Sequence, residues 1–125
     1  MSAITVENLS FAYLEEKVLE NLNFEIEAGE FIAILGPNGA GKTTTMKLIA
    51  GFLRPSSGTV KVWGLEPWIH EKEVRERIGF LHERPIYPHS VTVYQLLNHL
   101  AKLRGLSRSD VYRVAKLVGL ENYMD

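Results

Sequence analysis

Between Ala3 and Phe11, apolar side chains alternate loosely with polar ones (Ile4, Val6, Leu9, Phe11), the pattern of a half-buried strand. Leu22 to Glu27 repeats it, with Phe24 and Ile26 facing one way and Glu25 and Glu27 the other. Ala28-Gly29-Glu30 reads as a turn. Phe31 to Leu35 is a continuous apolar run, as expected of a strand covered on both faces, and Gly36 ends it. Met46, Ile49, Ala50 and Leu53 then recur at helical spacing, with a stop between Gly51 and Pro55. Pro55 to Gly58 is a turn and Thr59 to Trp63 a second short strand. Glu71 to Arg77 is charged and helical, Ile78 to Leu81 reads as a buried strand, and Arg84 to Ser90, with two prolines, is loop.

Two amphipathic helices close the sequence. Thr92 and Gln95 form the capping box of the first, whose apolar face carries Val93, Leu96, Leu97, Leu100 and Leu103. Ser107 and Asp110 form the box of the second, with Val111, Val114, Ala115 and Val118 as its stripe and Gly119 as its C-cap. The order is strands, strand–helix–strand, then helices: an α/β core followed by helical structure. Residues 1–90 hold the β segment and core, and 91–125 the helical part.

One stretch carries chemistry. Gly36-Pro37-Asn38-Gly39-Ala40-Gly41-Lys42-Thr43 matches G-x-x-x-x-G-K-[ST], a pattern that about 0.4% of random chains of this composition would contain. Glycines let the backbone fold around a phosphate with its N–H groups pointing inward, which side chains would obstruct. The helix that starts near Gly41 presents unpaired N–H groups and a partial positive charge to an anion. Lys42 adds a full charge on the outer phosphates, and the Thr43 hydroxyl is placed to ligate Mg²⁺.

The sequence LGPNGAGKTTTMKLIAGFLRPSSGTVKVWG, with NLSFAY and LNFEIEAGE before it and IGFLHERPIYPHSVTVYQLL after it, resembles the start of ATP-binding cassette (ABC) ATPases, the motor subunits of transporters. The resemblance runs from Ile4 to Met124. It implies a P-loop NTPase fold of the ABC type: an N-terminal antiparallel β segment, a partial parallel core and the start of the helical subdomain. It also implies ATP and Mg²⁺ as ligands, held by Gly36, Pro37, Asn38, Gly39, Ala40, Gly41, Lys42, Thr43 and Thr44. Tyr13 falls where the family stacks an aromatic ring on adenine. Lys42 would act in catalysis. Glu83 stands where the family carries the glutamine of the Q-loop, and a carboxylate there would contact the metal or the attacking water. Arg84 to Ser90 resembles the region that touches the membrane subunit.

The family's signature motif, Walker B Asp-Glu and switch histidine have no counterpart in Gly105 to Asp125. Without the Walker B acid the attacking water lacks its usual base, a contribution of ~10²–10⁴ in rate. The expectation is therefore the N-terminal part of a longer ATPase, binding nucleotide without turning it over alone and exposing apolar surface along Phe31–Leu35. The parent would hydrolyse ATP as a homo- or heterodimer of ATPase subunits bound to a transmembrane permease, in the cytoplasm on the inner face of the membrane. A soluble ABC-type ATPase of translation or repair, or a non-catalytic nucleotide-binding fragment, are the alternatives.

Composition narrows the rest. Fourteen basic against fifteen acidic side chains leave a net charge of −1 and no surplus for gripping nucleic acid. There are no cysteines, which excludes disulfides and thiolate metal sites. His70, His82, His89 and His99 show no paired spacing for a metal, and Trp63 and Trp68 read as packing residues.

Overall fold

A computed structural model describes all 125 residues, which divide into two compact units, Met1–Phe80 and Leu81–Asp125. The first contains strands β1 (Ser2–Tyr13), β2 (Glu16–Glu27) and β3 (Ser57–Val62) with helices α1 (Lys42–Ala50) and α2 (Glu71–Arg75). The second contains α3 (Val93–Leu103) and α4 (Arg108–Leu117).

The sheet has the order β2-β1-β3, and both ladders are antiparallel. A two-residue turn, Leu14-Glu15, joins β1 to β2 and sets Tyr13 opposite Glu16. Leu14 adopts a left-handed φ of 53° and points wholly into solvent. The pairing runs the full length of β2, so this strand begins six residues before the alternation at Leu22 announces it. Asn8 and Asn21 also have positive φ, at irregularities in the ladder. The Asn8 N–H donates to Asn23 Oδ1 at 2.8 Å and the Asn21 N–H to Ser10 Oγ at 3.0 Å. Asparagine adopts this conformation more readily than most residues, and here the neighbouring Asn23 and Ser10 side chains accept the backbone N–H groups. After β3, Trp63 and Gly64, both with positive φ, make a tight turn in which Val62 and Leu65 exchange N–H···O bonds of 2.8 and 3.0 Å.

One face of the sheet is packed by Val6, Leu9, Phe11, Leu19, Val60 and Val62, and the same cluster takes in Leu48 and Ile49 of α1 and Val74 of α2. Each such side chain contributes roughly 1.5–3 kcal/mol on burial. α1 ends at Gly51, in the left-handed conformation, and the Phe52 N–H returns to the Lys47 carbonyl at 2.9 Å. The inward face of α1 is Thr44, Thr45, Leu48, Ile49 and Ala50, while Met46, expected in the apolar stripe, is 46% exposed.

Two expected strands are not paired. Phe31–Leu35 and Ile78–Leu81 lie outside every ladder, and no parallel pairing forms. Phe31 is 99% exposed, Leu35 89% and Leu81 81%. The physical reason is that a strand of this kind needs hydrogen-bonded neighbours on both sides, and within these residues neither run has one. The apolar surface expected along Phe31–Leu35 is exposed, but on an unpaired run and not on the edge of a sheet.

In the second unit both capping boxes form. The Gln95 N–H donates to Thr92 Oγ1 at 3.1 Å while the Thr92 N–H donates to Gln95 Oε1 at 2.9 Å. The Ser107 N–H donates to Asp110 Oδ2 at 3.0 Å. Ala101, Val111, Ala115 and Met124 make the core, with Val93, Tyr94, Leu97 and Leu120 against it. Leu100, Leu103, Val114 and Val118, expected on the buried stripes, are exposed. Gly119 follows the α4 cap residue Val118 in left-handed conformation, one place later than expected.

Candidate functional site

The loop from Gly36 to Thr43 leaves the apolar run 31–35 and turns directly into α1. The Ala40 N–H donates to the Pro37 carbonyl at 3.2 Å, forming a turn with Asn38 and Gly39 at its tip. Gly39 has φ 83° and Gly41 φ 92°, values that side chains resist and glycine adopts freely. The two glycines differ in surroundings. A Cβ on Gly39 would meet open space, whereas one on Gly41 would come 2.6 Å from Leu19 Cδ2 and 3.3 Å from both Val18 Cγ1 and the Val18 carbonyl oxygen.

Gly41 is the N-cap of α1 and supplies no side-chain cap. The N–H groups of Lys42, Thr43 and Thr44 begin the helix and have no carbonyl a turn earlier within it. Thr45 is the first residue with a partner: its N–H and its Oγ1 both meet the Gly41 carbonyl, at 2.9 and 2.8 Å. No acidic residue stands in the first turn, so the positive end of the helix dipole is not neutralised there. Residues 36–40 and Thr43 are exposed, Lys42 is half-buried, and Gly41 and Thr44 are buried. The Lys42 ammonium donates to the Gly36 carbonyl and so spans the loop from its end to its beginning. The arrangement offers backbone donors, a fixed dipole and one full positive charge to an anion with several oxygens. Thr43 places a hydroxyl oxygen, a hard ligand of the type Mg²⁺ takes alongside phosphate oxygens, on the exposed side of the first turn.

Tyr13, at the end of β1, is 45% exposed and meets the Phe11 ring edge-on, with centroids 4.7 Å apart and planes at 87°. Phe11 is paired with Leu19 across the ladder, and Leu19 abuts Gly41, so the sheet carries Tyr13 on the strand pair that backs the loop. Glu83 belongs to the second unit, exposed and outside any helix. The structure thus gathers Gly36 to Thr44 into one loop and ties Tyr13 to it through the core of the first unit, whereas Glu83 belongs to the second unit. No group of three or more His, Cys, Asp or Glu side chains is placed to hold a metal.

Sequence reasoning missed what stands behind the loop. Val18 and Leu19 lie in the part of β2 that the alternation did not reveal. A cavity of ≈ 440 Å³ opens between β2, the run 32–35 and the start of α1, lined mainly by apolar side chains such as Leu22, Phe24, Ile32 and Ile34, with Lys42 and Thr45 also on its wall. The signal available was the Lys17-Val18-Leu19-Glu20 pattern, too short to read as a strand without the turn before it.

Comparison with known proteins gives the same reading. Residues 19–125 match the family described as ABC transporter. The ABC transporter ATP-binding protein YxlF of Bacillus subtilis is 37% identical over 105 residues, covering 84% of this chain and 34% of its own. The ergothioneine transport ATP-binding protein EgtV of Helicobacter pylori is 32% identical, over 98% of this chain and 57% of its own. Among solved structures, an ATP-binding subunit of an ABC transporter superposes with TM-score 0.85 at 29% identity, covering 98% of this chain and 52% of that one. CbiO1 of Clostridium perfringens, part of the transporter complex CbiONQ, gives TM-score 0.80 at 30% identity over 99% and 53%. The chain spans between a third and three fifths of the length of these relatives. With its phosphate loop between an apolar run and a helix and this agreement over most of its residues, the chain belongs to the ATP-binding proteins of the ABC transporter family.

Proposed function

We propose that the chain binds Mg·ATP in the loop Gly36–Thr44, as the nucleotide-gripping portion of an ABC transporter ATPase. The observation that carries this is the first turn of α1. Its N–H groups without helical partners follow directly on the left-handed Gly39 and Gly41, and the Lys42 ammonium spans the same loop. Backbone N–H groups orient the phosphate oxygens, Lys42 offsets their charge, and the Thr43 hydroxyl holds the ion with the outer phosphates. Magnesium, when bound, would neutralise phosphate charge. Tyr13 offers its ring to the adenine.

In the parent protein ATP hydrolysis would power transport, with Glu83 contacting the metal or the attacking water. Two ATPase subunits would work against a permease approached through 84–90, at the inner face of the membrane. The names of EgtV, a transport ATP-binding protein, and of CbiO1, part of an ABC transporter complex, support this reading. None of the helices here is long and apolar enough to cross a membrane. Residues 1–125 contain no Walker B acid or signature motif, so the chain alone would bind without turnover.

The test is titration of the chain with a fluorescent ATP analogue, with and without Mg²⁺, alongside phosphate release. Saturable binding that Lys42→Ala weakens, with phosphate release no faster than that variant's, is the expected result. Absence of binding overturns the reading, and Lys42-dependent turnover overturns the claim that the chain alone is inactive.

A further inference from the structure

The loop is asymmetric in its support. Towards solvent, Gly36 to Ala40 are exposed and a Cβ on Gly39 would meet nothing within 4 Å. Towards the protein, Gly41 is buried, and the space its missing side chain would take is occupied by Leu19 Cδ2, flanked by Val18 Cγ1 and the Val18 carbonyl. Gly41 is also where the chain turns from left-handed loop into right-handed helix, with φ 92° on one residue and α1 beginning on the next. A glycine at such a junction has wide rotational freedom, and any change in its dihedrals re-aims the N–H groups of Lys42 and Thr43. Something must stop that rotation, and the nearest atoms belong to Leu19.

Leu19 is suited to be a stop. It is buried, paired across the ladder with Phe11, and part of the cluster that includes Leu48 and Ile49 of α1. Phe11 and Tyr13 meet in a T-shaped ring contact. One side chain therefore touches the phosphate end of the site directly and the adenine end through a single aromatic neighbour.

We propose that Leu19 is a positioning residue for nucleotide binding: it fixes the Gly41 turn from behind, and so the aim of the first-turn N–H groups, without itself touching nucleotide. The inference rests on the Mg·ATP reading above and adds to it a residue from strand β2 that the phosphate-loop motif does not contain. Its distinguishing consequence is that truncating Leu19 loosens the grip on phosphate beyond what loss of core stability brings.

The experiment measures Mg·ATP affinity of the full 125-residue chain with a fluorescent ATP analogue for wild type, Leu19→Ala, Leu19→Val, Leu19→Met and Leu9→Ala. Leu9 is fully buried in the same cluster, so its truncation removes the same atoms from the same core. Leu19→Ala should weaken binding at least fivefold, and Leu9→Ala, at a comparable loss of stability, less than twofold. Leu19→Met conserves volume and should restore affinity to within twofold. If Leu19→Ala does not fold, Leu19→Val, which shortens the side chain by one carbon, should shift affinity in the same direction by at least twofold. Equal shifts for the Leu19 and Leu9 variants, or unchanged affinity in Leu19→Ala and Leu19→Val, would overturn the assignment while leaving ATP binding intact. Failure of the wild type to bind overturns both the Mg·ATP reading and this inference.

Discussion

Lys42 donates a hydrogen bond to the carbonyl oxygen of Gly36, six positions earlier at the start of the same loop. A phosphate competes for that ammonium with a stronger, charged acceptor, so binding exchanges an internal bond for an external one. Charge-assisted bonds contribute about 1.5–3 kcal/mol, which corresponds to roughly a 10- to 150-fold loss of Mg·ATP affinity in Lys42→Ala. The bond lies at an exposed position, so the urea midpoint of the same variant should barely move. A large stability loss would show that the lysine holds the loop rather than the ligand.

Gly39 and Gly41 share a left-handed backbone but not a neighbourhood, and alanine separates the two contributions. Gly39→Ala should cost about 1–2 kcal/mol from backbone conformation alone. Gly41→Ala adds the collision with Leu19, about 1–3 kcal/mol more. Urea unfolding of the two variants checks this, and equal midpoints would contradict the packing described behind Gly41.

Tyr13 is 45% exposed at the end of β1, and the proposed function gives its ring to the adenine. Tyr13→Ala should weaken ATP binding by about 0.5–1.5 kcal/mol, or roughly 2- to 12-fold, and Tyr13→Phe should leave it unchanged. Affinities for ATP and inorganic tripolyphosphate measured side by side give the check: only the nucleotide should respond to loss of the ring.

Asp110 links the second unit to pH. Its carboxyl is held below the ordinary aspartate range, first by the Ser107 backbone N–H, then by the Ser107 hydroxyl and Arg113. A carboxylate with a lowered folded-state pKa contributes stability that is complete above its unfolded pKa and is lost as pH falls through the folded value. Helical circular dichroism should therefore hold from neutral pH down to about pH 4 and decline below it. Asp110→Asn, which does not titrate, should show a shallower decline over that range.

The glycine loop before α1 and both helix caps were legible because each is a local code, written in residues three to seven positions apart and realised by the backbone they belong to. Thr92–Gln95 and Ser107–Asp110 form their boxes as the spacing dictates. Phe31–Leu35 and Ile78–Leu81 were readable as apolar runs but not as paired strands, since pairing is a property of the neighbour and not of the run. Strand β2 was legible only from Leu22 because its start depends on a turn at Leu14-Glu15 that contains no glycine, asparagine or proline. Leu19's place behind Gly41 was hidden for the same reason: it needs the ladder register that sets Phe11 opposite it.

The β1–β3 ladder also has a meaning in time. It joins Ile4 to Val62, in the first and last strands of the sheet in chain order, and the whole Gly36–Thr43 loop lies between them in sequence. Synthesis adds roughly 5–20 residues per second, so β1 and β2 can close their hairpin within microseconds of emerging while β3 arrives seconds later. During that interval the loop's glycines are tethered to the sheet at one end only. The central strand waits with one edge unpaired until residues beyond the loop have been made, and β3 then closes the sheet around a loop already translated.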